Sequence, residues 1–73
     1  MITKLPNQVI YRNLVYDLYI NYSNKGSSAE PYFEWNIQYY QGSSALVSMK
    51  GTKYSEIEYS MLNYLKNNKI ESV

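Results

Sequence analysis

The sequence predicts an α+β domain, a three-stranded antiparallel β-meander followed by one C-terminal helix packed on one of its faces, in the order β-β-β-α. Three observations predict it. Two stretches alternate apolar and polar residues with period two, a glycine-bearing turn follows the second, and the last third of the chain repeats its apolar residues at helical spacing.

Residues 5–13 admit three readings. Val9-Ile10-Tyr11 extends the first strand backwards, forms a short extra strand, or begins a helix after Pro6 and Asn7. The first clear strand spans residues 14–22. Leu14, Tyr16, Leu18, Ile20 and Tyr22 share one face, and Val15, Asp17, Tyr19 and Asn21 share the other. Residues 23–31, Ser-Asn-Lys-Gly-Ser-Ser-Ala-Glu-Pro, are polar and end in proline, which makes them a loop rather than a tight turn. The second strand, residues 32–40, turns Phe33, Trp35, Ile37 and Tyr39 inward and Tyr32, Glu34, Asn36, Gln38 and Tyr40 outward.

Register decides the next turn, because a one-residue slip moves every side chain of the third strand to the other face. A three-residue loop, Tyr40-Gln41-Gly42, pairs Tyr39 with Ser43, Ile37 with Ala45, Trp35 with Val47 and Phe33 with Met49. A two-residue Gln41-Gly42 loop sets Trp35 against Ser48 and makes a less apolar face, so the longer loop is expected. After Gly51, Ser55-Glu56-Ile57-Glu58 has the form of a capping box, with Thr52 as a rival cap. The helix then continues to Asn67 or Asn68 on a core stripe of Ile57, Met61, Tyr64 and Leu65. Glu56 and Glu58 near its start and Lys66 and Lys69 near its end complement the helix dipole. The helix is expected over the sheet face of Leu18, Ile20, Trp35, Ile37 and Val47, with the opposite face left open.

The 73 residues are expected to form one domain, 1–73, with a single core. For this size the net stability is only about 3 to 5 kcal/mol. Without cysteine there is neither a disulfide framework nor a thiolate metal site, which leans towards a cytoplasmic setting. No apolar run approaches the roughly 20 residues of a membrane span, and Met1-Ile2-Thr3-Lys4-Leu5-Pro6 has no apolar stretch of the secretory-signal kind behind it. A net charge of +1 gives no field that announces nucleic acid or an acidic membrane.

Ten tyrosines and eight asparagines stand against two alanines and three glycines. Tyrosine and asparagine are residues of adaptable recognition surfaces. The same bias, with six lysines and six isoleucines against one arginine, follows from AT-rich codons alone. It points to a low-GC bacterium, or to a phage or mobile element living in one.

No catalytic constellation emerges. Histidine is absent, Glu56 and Glu58 lie two apart on a helix and diverge, and Asp17 and Glu34 lie on an exposed face that offers no pocket to shift a pKa. A calcium loop needs several acidic side chains at short spacing, and residues 23–31 hold only Glu30. Neither an enzyme nor a metal or other cofactor is expected. The inward tyrosines Tyr16, Tyr22, Tyr39 and Tyr64 are core candidates. The candidate partner-binding residues are Tyr19, Tyr32, Asn36, Tyr40 and Leu46 on the open sheet face, with Val15 and Gln38 beside them.

The leading expectation is a small protein-binding module, an accessory or inhibitor protein of a phage or mobile element that binds a host protein, with self-association as a second partnership. Nucleic acid is the alternative partner, since outward aromatics on a sheet stack bases and Lys25, Lys50 and Lys53 could reach phosphates. The β-β-β-α order also occurs within double-stranded-RNA-binding domains and small sheet-type DNA-binding domains, a likeness of layout only. Against it, the helix start carries one lysine and two glutamates. A self-assembling structural component is the third class.

Overall fold

The computed structural model describes residues 2–73; Met1 lies outside the described residues. The chain is α+β, an antiparallel sheet with one helix near its C-terminal end. The strands are β1 (Ile2–Tyr11), β2 (Leu14–Asn24), β3 (Phe33–Gln41) and β4 (Ser44–Gly51); the helix α1 (Tyr54–Asn67) precedes a short β5 (Glu71–Ser72). Their order across the sheet is β4-β3-β2-β1-β5. The first four strands are a meander, and α1 carries the chain back across one face so that β5 pairs with β1.

Five strands replace the three expected. Residues 5–11 belong to β1 and residues 12–13 to the turn that follows it, and the cause of the ambiguity is visible in the ladder. Lys4 pairs with Tyr19 and Gln8 with Asp17, so Leu5-Pro6-Asn7 bulge opposite a single residue of β2. Pro6 has no N–H to give to a ladder, and the bulge interrupts the alternation that marks a strand. The β1–β2 hairpin closes through Arg12 and Asn13, both with positive φ (51° and 66°), as a type I′ turn requires. Only the asparagine hinted at it. β5 is two residues long, too short for periodicity to register.

The β3–β4 register also differs. Gln41 pairs with Ser44 around a two-residue Gly42-Ser43 turn, with Gly42 at φ 57°. A positive φ at the first central residue is the type II′ requirement, and glycine meets it without a Cβ penalty. The ladder then shifts between Tyr39 and Tyr40, so that Tyr39 meets Val47, Ile37 meets Met49 and Trp35 meets Gly51. The expected three-residue loop assumed a regular ladder. In its place a bulge at Leu46 restores the parity that the two-residue turn would have lost.

Helix α1 begins one residue before Ser55, with Lys53 in the N-cap position and no side-chain cap hydrogen bond, so the expected capping box is not formed. Glu58 lies one turn from Tyr54, whose pKa is raised by burial first and then by the charge of Glu58. The helix ends in a Schellman motif. The Ile70 amide donates to the Leu65 carbonyl at 2.9 Å and the Lys69 amide to that of Lys66 at 3.2 Å, and Ile70 and Leu65 are both buried. Lys69 occupies the left-handed position (φ 55°) that glycine favours. Lys69→Gly is therefore expected to stabilise the protein by about 0.5–1 kcal/mol, read as a higher urea midpoint at unchanged slope.

The core lies between sheet and helix on the expected face. Val9, Tyr16, Leu18, Ile37 and Tyr39 come from the strands, Ile57, Met61 and Leu65 from α1, and Ile70 from the segment leading into β5. Ile20, Trp35 and Val47 pack against this cluster while half-buried. Lengths fix what remains uncovered. The 14-residue helix spans about 21 Å, whereas an 11-residue strand such as β2 spans about 36 Å, so the helix cannot cover the sheet from end to end. It starts at Trp35, against which Tyr54 packs, and leads through Ile70 to β5 beside Val9. The β2–β3 end of the sheet, beyond Trp35, projects past it within a molecule 47 Å long.

Candidate binding site

The open sheet face carries only some of the expected partner-binding residues. Asp17 is paired with Tyr40, Tyr19 with Gln38 and Asn21 with Asn36, which brings Tyr19, Asn36 and Tyr40 onto one surface. All three are half-buried, and their neighbours engage one another. The Tyr19 and Tyr40 rings meet edge to face at 6.3 Å. Gln8 donates to Asp17 at 2.8 Å, Lys4 lies 3.6 Å from the same carboxylate, and the Ser48 hydroxyl donates to Asn36 at 3.1 Å. This surface has its polar groups largely satisfied within itself.

Leu46 is not part of it. The bulge in β4 turns Leu46 to the other side of the sheet, where it packs, half-buried, against the core cluster. Tyr32 lies just before β3 and is exposed. Its carbonyl accepts from the amides of Lys25 and Gly26, closing the base of the 23–31 loop. Inside that loop Ser27 donates its amide to the Glu30 carbonyl and accepts, through its hydroxyl, from the Glu30 amide. Asn24 accepts from the Gly26 amide. The loop that the sequence led us to expect is thus a compact, internally bonded tip.

An exposed cluster of contacting aromatic rings lies on the helix-covered side, where the helix stops short. Phe33 and Tyr22 stack at 5.5 Å with their planes 13° apart. Tyr22 contacts Trp35 at 4.3 Å, and Trp35 meets Tyr54 of α1 edge-on at 5.0 Å. Tyr22 and Phe33 remain 42% and 43% exposed although the alternation assigned both to the core. Face and burial separate here. Alternation correctly placed both rings on the helix side, but the length of the helix decides which residues on that side are covered.

Tyr54 also belongs to a second feature, a cleft of about 190 Å³ between α1 and the bulged part of β1. Its floor is Leu18, Ile37, Tyr39 and Met61, all buried; Leu5, Asn7, Leu62 and Glu58 form its more exposed rim. The Tyr54 hydroxyl is pushed above its usual pKa by burial first, then by the charge of Glu58 and the hydrogen bond to it. Tyr39 is raised by burial and then by Tyr54. Glu58, Asn7, Tyr39 and Tyr54 supply the polar groups of a cleft whose other lining residues are apolar.

In comparisons with known proteins, no family model, curated protein or solved structure matches this chain. Among the described residues, no helix is long and apolar enough to cross a membrane.

Proposed function

We propose that the chain is a small non-catalytic protein-binding module whose contact surface is the aromatic ladder Phe33-Tyr22-Trp35-Tyr54. One observation carries the reading: Tyr22 and Phe33 are more than 40% exposed and yet held by ring neighbours on a face that would otherwise belong to the core. Aromatic side chains ordered before binding lose little rotamer freedom when a partner arrives, and tyrosine and tryptophan dominate the energetics of protein interfaces. The rival surface, around Tyr19 and Tyr40, is more buried and more self-satisfied. The codon bias supports a further step, that the partner is a host protein and the chain an accessory or inhibitor protein of a phage or mobile element.

The test is capture by the immobilised chain from lysate of a low-GC bacterium, with half of the lysate treated with nuclease. A defined protein retained in both halves is the expected result. Retention abolished by nuclease would instead assign the surface to nucleic acid.

A further inference from the structure

The cleft beside the ladder has a composition of its own. Leu5, Leu18, Ile37, Met61 and Leu62 make most of its lining aliphatic, beside the rings of Tyr39 and Tyr54, and its polar groups are acidic or neutral. Among the described residues, no lysine or arginine lines it. The ion pairs among the described residues are Lys4–Asp17 and Lys53–Glu56, and neither engages Glu58. Burial is the main cause that raises Tyr39 and Tyr54, and the negative charge beside Tyr54 comes from Glu58, the charged group among the described lining residues. The cleft therefore complements a positive charge that brings an aliphatic body with it.

We infer that this cleft seats a lysine side chain of the protein partner, its methylene stem along Leu5, Leu18 and Leu62 and its ammonium at the Glu58 carboxylate. The inference rests on the protein-binding reading above. Lysine buries its stem along apolar surface while keeping its charged end near water, and the exposed position of Glu58 on the rim suits that arrangement. Arginine fits less well. Its planar fork calls for a carboxylate with both oxygens free, whereas Glu58 shares its surroundings with the Tyr54 hydroxyl that its charge acts on, and suits a point-charge partner better. Continuity with the ladder supports a shared occupant, because Tyr54 borders both. A standard interface takes about 800 Å² from each partner, roughly 15% of this molecule's 5349 Å², so a protein on the ladder is expected to extend over the cleft.

The probe is the blocked tripeptide acetyl-Gly-Lys-Gly-amide, titrated into the full chain and followed by amide chemical shifts and by the fluorescence of Trp35, which contacts Tyr54. Saturable shifts at Leu5, Met61 and Leu62 are expected. Affinity should fall at least fivefold when the lysine is N-ε-acetylated, and likewise in Glu58→Gln, while Glu56→Gln on the opposite flank of the helix keeps wild-type affinity. Equal binding of the acetylated tripeptide to the wild-type chain overturns the proposal without any variant being needed, and so does absence of binding. If the lysine probe fails while partner capture persists, the cleft assignment falls and the protein-binding reading stands. If capture fails as well, both fall.

Discussion

Ile37→Ala leaves a large fraction of the chain unfolded at 25 °C. Ile37 lies on β3, an interior strand of the sheet, is 3% exposed, and belongs to the cluster with Ile57 and Met61 of the helix. Truncating a side chain in such a site removes its transfer free energy and leaves a cavity, a loss of about 2–5 kcal/mol. A domain of this size has only about 3 to 5 kcal/mol in total. Urea titration followed by circular dichroism should show no native plateau, or a midpoint displaced towards zero denaturant. A loss below about 1 kcal/mol, the range of a tolerated, volume-conserving core change, would mean that the sheet and helix are not joined through this residue.

Gly26→Ala disrupts the tip of the β2–β3 hairpin. A Cβ at this position would collide with the Glu30 carbonyl oxygen and the Tyr32 amide nitrogen, both backbone atoms of the same loop. Neither can move without breaking the bonds that Gly26, Ser27 and Tyr32 make across the loop base. The expected cost is that of overpacking, about 1–3 kcal/mol. Its footprint should be local. Amide shifts of residues 24–34 change and amide exchange there accelerates, while Val9 and Leu65 in the core keep their protection. Because Phe33 follows directly on this loop, the same substitution is expected to weaken partner binding through the ladder. Unchanged shifts at Tyr32 and Phe33 would contradict the packing described for the tip.

Much of this architecture was legible in the residues. The alternation in residues 14–22 and 32–40 gave two strands with their faces correctly assigned, and the spacing of Ile57, Met61 and Leu65 gave the helix and its buried stripe. What escaped has physical causes. β1 was hidden because Pro6 and the Leu5–Asn7 bulge disturb its period, and β5 because two residues have none. The β3–β4 register was missed because a bulge and a two-residue turn together mimic the parity of a longer loop. Leu46 was placed on the open face for the same reason.

The ladder was half legible. The sequence placed Tyr22, Phe33 and Trp35 together on one face but could not show that they lie where the helix ends. That depends on comparing the length of α1 with the length of β2 and on knowing where the crossing begins. The useful signal was present all the same: apolar alternation continues past the residues that one helix of this length can cover.

The most direct test compares two double variants against the captured partner by calorimetry: Tyr22→Ser/Phe33→Ser on the ladder and Tyr19→Ser/Tyr40→Ser on the open face. Removal of interface anchors typically costs 2 kcal/mol or more, roughly a 30-fold loss of affinity. We predict at least that loss for the ladder variant, with its folded circular dichroism spectrum retained, and less than about a threefold change for the open-face variant. The reverse pattern, full affinity without Tyr22 and Phe33 and a large loss without Tyr19 and Tyr40, would contradict the account and move the binding surface to the other side of the sheet.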